Sequence, residues 1–210
     1  MAFNSESSTS RLMSHGGMQR VPTDRLELLR CRDFLSAGMC ENLIALIDQE
    51  RRPSTIADDN GDDYFRTSET CDLHAGSSVV DELNRMFTAL SGIDPAFGEP
   101  AQGQRYAVGQ EFKPHTDYFA PGGQDYDKFC SIAGQRTWTF MIYLNEVESG
   151  GGTRFKSINK TFKPETGALL CWNNRRADGS VNPFTLHHGM KVRKGLKYVI
   201  TKWYREKEWG

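Results

Sequence analysis

The segment Thr137-Trp-Thr-Phe-Met-Ile-Tyr-Leu144 alternates in period two. In an extended chain this puts Trp138, Phe140, Ile142 and Leu144 on one face and Thr137, Thr139, Met141 and Tyr143 on the other. Such a strand has to be covered on its first face and can line a pocket with its second. Ala168–Trp172 and Tyr198–Trp203 also read as short strands, with turns containing Gly and Pro between them, a pattern of antiparallel sheets rather than βαβ units. Upstream the period changes. Ser36 is placed to cap a helix from about Ala37 to Arg51, with Cys40, Leu43, Ile44 and Ile47 at helical spacing and Pro53 ending it. A second helix, from about Ser78 to Leu90, carries Val79, Val80, Leu83, Met86, Phe87 and Leu90 on one stripe, and both stripes read as core packed against a sheet.

The 210 residues suit one domain over 23–210, with a helical part to about 100 and a β core at about 101–205. Residues 1–22, rich in Ser and Gly with few apolar anchors, read as a disordered tail in which His15 is inert. A formal net charge of −1 gives no electrostatic footprint for nucleic acid. The chain has no apolar run of the ~18 residues a membrane span needs, nor the apolar core of a signal peptide, so a cytoplasmic protein is expected. The five cysteines lack CxxC spacing, which fits reduced thiols rather than zinc or a disulfide framework. Nothing in the sequence specifies an oligomeric state.

His115 and Asp117 stand at i and i+2, so an extended segment turns both toward one ion. A third donor is available from the His187-His188 pair, whose members point to opposite sides of a strand. Two histidines and one carboxylate cover one face of an octahedron and leave open positions, the donor set of non-heme Fe(II) oxygenases. Lys197 follows among Lys191, Arg193, Lys194 and Lys202, where a solvated charge is the plain expectation. Parity argues otherwise: Lys197 shares a face with Val199, Thr201 and Trp203, while Tyr198, Ile200 and Lys202 take the other. An ammonium on an apolar face can anchor a carboxylate. His74 has no partner motif and reads as a surface or structural residue. Asp58-Asp-Asn-Gly-Asp-Asp63 lacks EF-hand spacing and reads as a mobile solvated loop rather than a calcium site.

In order and spacing, Tyr106-Ala-Val-Gly-Gln110, Phe112-Lys-Pro-His115-Thr-Asp117, Thr139–Asn145, Gly150-Gly-Gly-Thr153-Arg-Phe155, Gly167–Asn173, Thr185-Leu-His-His-Gly189 and Lys194–Trp203 resemble the catalytic domain of the prolyl 4-hydroxylases. Asp33-Phe-Leu-Ser36 and Arg66-Thr-Ser68 extend the likeness to about Cys31–Arg205. The resemblance implies a mainly β fold, a double-stranded β-helix or jelly roll with flanking N-terminal helices. It also implies dependence on Fe(II), 2-oxoglutarate and O2, with ascorbate rescuing iron oxidised in uncoupled turnovers. Its Leu-His-x-Gly motif, with a cation ten positions on, selects His187 as the third ligand and leaves His188 as a hydrogen-bonding neighbour.

By the same resemblance Lys197 binds the distal carboxylate of 2-oxoglutarate, Tyr143 and Thr201 line that pocket, and Tyr106 lies near the co-substrate or the substrate proline. Arg66 and Ser68 match an Arg-x-Ser motif beside a peptide groove, and Trp172 an aromatic residue near it; the loop at 58–64 is expected to close on the peptide. Retention of Asp117 favours hydroxylation over halogenation. The sequence departs from the family at Gly152, where Glu is usual, and at Phe184, where a polar residue is common. The leading expectation is 4-hydroxylation of a Pro-containing peptide or protein. The alternatives are a hydroxylase of free proline, another amino acid or another side chain, and a non-catalytic module sensing iron or oxoacid.

Overall fold

A computed structural model describes residues 5–54, 65–123 and 126–209. The N-terminal part runs α1 (Ser5–Ser14), β1 (Met18–Arg20), β2 (Leu28–Cys31), α2 (Ala37–Glu50), β3 (Arg52–Pro53), β4 (Glu69–Leu73) and α3 (Ser78–Ser91). Then follow β5 (Ala101–Tyr106), β6 (Phe112–His115), α4 (Tyr126–Cys130), β7 (Arg136–Tyr143), β8 (Ser149–Gly150), β9 (Thr153–Phe155) and β10 (Lys160–Phe162). The chain closes with β11 (Leu169–Asn173), β12 (His187–Gly189), β13 (Val192–Lys194) and β14 (Lys197–Arg205).

Antiparallel pairing builds an eight-stranded sheet ordered β1-β2-β11-β7-β14-β5-β4-β3 and a four-stranded sheet ordered β10-β9-β12-β6, with a small β8-β13 ribbon. This is the expected jelly roll, with α2 packed on β4 and β5 and α3 beside α2. The alternation of β7 separates two cores. Trp138, Phe140, Ile142 and Leu144 join the residues under the helices, whereas Met141 and Tyr143 join a second cluster with Tyr106, Phe155, Trp172 and Val199. Register carries that second face across the large sheet, since Tyr143 pairs Val199, Met141 pairs Thr201, and Lys197 pairs Tyr106.

Ser36 caps α2 by accepting the Met39 amide at 3.3 Å, and Cys40, Leu43 and Ile47 are buried. The helix stops at Glu50, because the chain turns extended at Arg51 and Pro53 enters a two-residue edge strand, where its missing N–H costs nothing. Gly103 on β5 lets α2 approach: a Cβ there would lie 2.4 Å from Ile47 Cγ1. In α3, Val80, Leu83, Phe87 and Leu90 are buried, and Gly92 closes the helix in the left-handed region.

The described part of the N-terminal segment departs from expectation. Residues 5–20 form α1 and β1 rather than a disordered tail, with α1 against α3 and β1 paired to β2. Composition undercounts such a segment because a few anchors suffice: Leu12 is fully buried and Met18 nearly so, and Thr9 donates to Glu27 at 3.0 Å. The loop at 58–63 lies outside the described residues. No helix among the described residues is long and apolar enough to cross a membrane.

Candidate active site

His115 is the last residue of β6 and His187 the first of β12, and the two stand directly opposite in the antiparallel register, ring centroids 4.3 Å apart. Asp117 falls two residues beyond β6, past the regular strand, yet its Oδ1 comes within 3.9 Å of His115 Nε2. One donor atom from each of the three lies within 4.8 Å of the others, close enough to share one ion. The packing presents the right atoms. His115 Nδ1 is hydrogen-bonded to the Lys113 carbonyl at 2.7 Å and His187 Nδ1 to the Thr185 carbonyl at 3.0 Å, which leaves each Nε2 as the lone-pair nitrogen. Burial, and then the neighbouring His187, hold the His115 imidazole well below its usual pKa, so it stays neutral as a metal ligand must. Phe112 stacks on His115 at 3.5 Å, and Trp172 meets His187 edge-on at 4.8 Å. The donor set therefore fits a divalent transition metal such as Fe(II).

His188 points away, and its Nε2 meets Glu111 Oε2 at 2.9 Å. Parity along β12 thus separates the two adjacent histidines.

A narrow cleft joins the triad to Tyr106, Trp172, Lys197 and Thr201. Lys197 is 2 % exposed and lies over the Tyr106 ring at 5.0 Å and the Tyr143 ring at 5.6 Å. Among the described residues no carboxylate pairs with it, and burial alone pulls its pKa down to about 7. A buried ammonium without an anion is costly, so this position suits an incoming carboxylate. Thr201 accepts from Gln104 Nε2 at 3.3 Å, and the Tyr106 hydroxyl donates to Gln104 Oε1 at 3.2 Å. Tyr143 packs behind Lys197, its hydroxyl donating to Thr153 Oγ1 at 2.6 Å. Arg66 Nε bonds Ser68 Oγ at 3.2 Å, its guanidinium covers Phe112 at 5.0 Å, and burial lowers its pKa beside Tyr106. All ten residues singled out in the sequence thus converge on one region, with Arg66 and Ser68 at the Tyr106 side and Trp172 beneath His187.

Sequence reading missed Gln104, Thr139 with Asn174, and the ion cluster behind Asp117. Gln104 had a signal, since it precedes Tyr106 by two and shares its face. The ion cluster had none, because its members lie 37 and 106 residues apart. Glu99 takes Arg136 through both oxygens at 2.7 Å and Arg205 at 2.9 Å, and Arg136 Nη1 donates to the Asp117 carbonyl at 3.3 Å. Burial raises the Glu99 pKa, but Arg136 and Arg205 outweigh it and hold the carboxyl below its ordinary 4.5. Glu99→Gln is therefore expected to cost about 3–5 kcal/mol, because two buried guanidinium groups lose their charge partner. A group whose folded pKa is depressed contributes stability that is present above the unfolded value and is lost as pH falls. Urea titrations should accordingly show a gap between the two proteins that is full above about pH 4.5 and narrows below it; a gap that does not change with pH would refute this role. Lys202 sits near the same cluster, 7 % exposed beside Gly98, so the face opposite Lys197 is no more solvated than its own.

A sequence family described as the 2OG-Fe(II) oxygenase superfamily matches residues 101–205. Prolyl 4-hydroxylase 5 of Arabidopsis thaliana is 33 % identical over 202 residues, covering 84 % of this chain and 67 % of the relative. Human prolyl 4-hydroxylase subunit alpha-1 is 28 % identical over 88 % of this chain and 35 % of its own length. The chain thus spans about two thirds of the plant relative and about a third of the human subunit. Among solved structures, the viral collagen prolyl hydroxylase of Paramecium Bursaria Chlorella virus-1 superposes with a TM-score of 0.66 at 24 % identity, over 86 % of this chain and 96 % of that one, a likeness of fold.

Proposed function

This chain belongs to the 2OG-Fe(II) oxygenase superfamily, among its prolyl 4-hydroxylase-like members, and from that premise we propose that it hydroxylates peptidyl proline at the 4-position, converting 2-oxoglutarate to succinate and CO2. The observation that carries the reading is the placement of a buried ammonium, Lys197, with no paired carboxylate among the described residues, in the same cleft as His115, Asp117 and His187.

His115, Asp117 and His187 would hold Fe(II), which supplies the redox chemistry by which O2 is used for hydroxylation. The protein's own residues do the positioning. Lys197 would take the distal carboxylate of 2-oxoglutarate as a point charge, with the Thr201 hydroxyl beside it. Tyr143, locked to Thr153, backs the ammonium and keeps it from leaving the cleft. The apolar walls formed by Met141, Val199 and Trp172 exclude water and so strengthen each of these charge contacts. Ascorbate would act as the reductant that restores iron after uncoupled turnover. The five free cysteines accord with a reducing compartment, and we assign the protein to the cytoplasm.

Arg66 and Ser68, at the Tyr106 rim, would face the peptide. The experiment is a screen of Pro-containing peptides, with free proline as a parallel arm, using Fe(II), 2-oxoglutarate and ascorbate and reading the gain of one oxygen atom by mass spectrometry. Oxygen gain on peptidyl proline supports the proposal, and gain only on the free amino acid replaces it with the small-molecule reading. Arg66→Ala should raise the KM for peptide roughly tenfold, the scale of one charge-assisted hydrogen bond, while uncoupled formation of succinate persists. An unchanged KM would move the substrate away from this rim.

A further inference from the structure

We infer that Asn174, acting through Thr139, is a positioning residue that fixes which oxygen of Asp117 faces the metal. The inference rests on reading His115, Asp117 and His187 as the metal site and goes beyond it to residues that touch no ligand.

Asn174 and Thr139 are both fully buried. Asn174 Nδ2 donates to Thr139 Oγ1 at 2.9 Å, and Thr139 Oγ1 donates to Asp117 Oδ2 at 2.7 Å. The polarity of this chain is forced. A carboxylate only accepts, so the single hydroxyl hydrogen of Thr139 goes to Asp117, and the hydroxyl lone pair is what receives the amide. Asn174 thereby stops the threonine rotor in the one orientation that serves Asp117. With Oδ2 committed, Oδ1 is the oxygen left toward His115 Nε2, at 3.9 Å. The carboxylate is then set to offer the metal one oxygen and to leave the neighbouring positions open.

The other end of the amide shows what Asn174 is not there for. Asn174 Oδ1 is buried with no hydrogen-bond partner among the described residues. Its backbone is independently secured, its N–H donating to the Thr137 carbonyl and its carbonyl accepting from Asn182 N–H. A leucine has the same heavy-atom branching and removes the orphaned acceptor, so the fold by itself gains little from this amide. The relay and the fold therefore predict opposite signs for one substitution.

The test uses the full chain without metal, then titrates Co(II) anaerobically against a competing chelator and records the melting temperature of the metal-free protein. In the wild type, one Co(II) should bind, and His115→Ala should abolish it. Asn174→Leu should keep or raise the metal-free melting temperature and weaken Co(II) about tenfold, within the range set by partners of metal ligands. Thr139→Val should weaken it at least as much, Thr139→Ser should stay within about twofold of the wild type, and the Asn174→Leu/Thr139→Val pair should lose no more than Thr139→Val alone, because both act on one bond. A wild type that binds no metal overturns the site reading and the relay together. A wild type that binds normally, with Asn174→Leu unchanged in affinity or with losses that add, overturns the relay alone. If Thr139→Val does not fold, Asn174→Leu and Thr139→Ser decide the matter, since neither deletes a bond the fold depends on.

Discussion

Replacing His187 with alanine or glutamine is expected to abolish tight Fe(II) binding and to lower hydroxylation by on the order of 10³-fold, about 4 kcal/mol of transition-state stabilisation. His187 brings the third donor to a site whose other two, His115 and Asp117, come from one segment, and two donors hold a labile divalent ion poorly. Glutamine matters as a second variant because His187 also packs against Trp172 and Phe155, so alanine would open a cavity. The contrast lies next door. His188→Ala breaks a contact with Glu111 on the opposite face and should leave metal affinity within a few fold. Retained Fe(II) binding in both His187 variants, measured anaerobically by chelator competition, would sink the ligand assignment.

Lys197→Met should weaken 2-oxoglutarate by about 1.5–3 kcal/mol, the scale of a hydrogen bond to a charged group, while sparing Fe(II). Without co-substrate the same change should stabilise the protein, because it removes a buried ammonium that has no anion. The pH dependence follows from the pKa, pulled down to about 7 from the ordinary 10.5. Below 7 both folded and unfolded chains carry the proton and the burial cost is full. Between 7 and 10.5 the unfolded chain binds a proton the folded chain has released, so wild-type stability rises with pH and the advantage of Lys197→Met shrinks. Co-substrate binding runs the other way: the ammonium is needed, so affinity should fall as pH climbs above 7. The rings of Tyr106 and Tyr143 face Lys197, and among the described residues no acid pairs with it. Lys194, mostly exposed and paired with Glu148, is the control; Lys202 is unsuitable because it is buried beside Gly98. Calorimetric 2-oxoglutarate affinity that is equal in wild type and Lys197→Met would reject the anchor.

The sequence by itself determined what is periodic or local. Strand alternation assigned the two faces of β7 and put Lys197 on the side of Val199 and Thr201; a serine hydroxyl marked the start of α2; adjacency forced His187 and His188 apart. These features are readable because side-chain direction repeats every 2 or 3.6 residues and a cap needs only its own first turn. The family pattern then chose between the two histidines. Tertiary structure decided the rest. It ordered residues 5–20, where one buried leucine and one strand pairing outweigh a polar composition. It buried Lys202 on the face that parity had set opposite Lys197, and it brought Glu99, Arg136 and Arg205 behind Asp117 and Thr139 and Asn174 onto its carboxylate. The reason is that a buried polar or charged group needs a partner wherever in the chain that partner lies, and such partners, 22 to 106 residues apart here, leave no periodic trace.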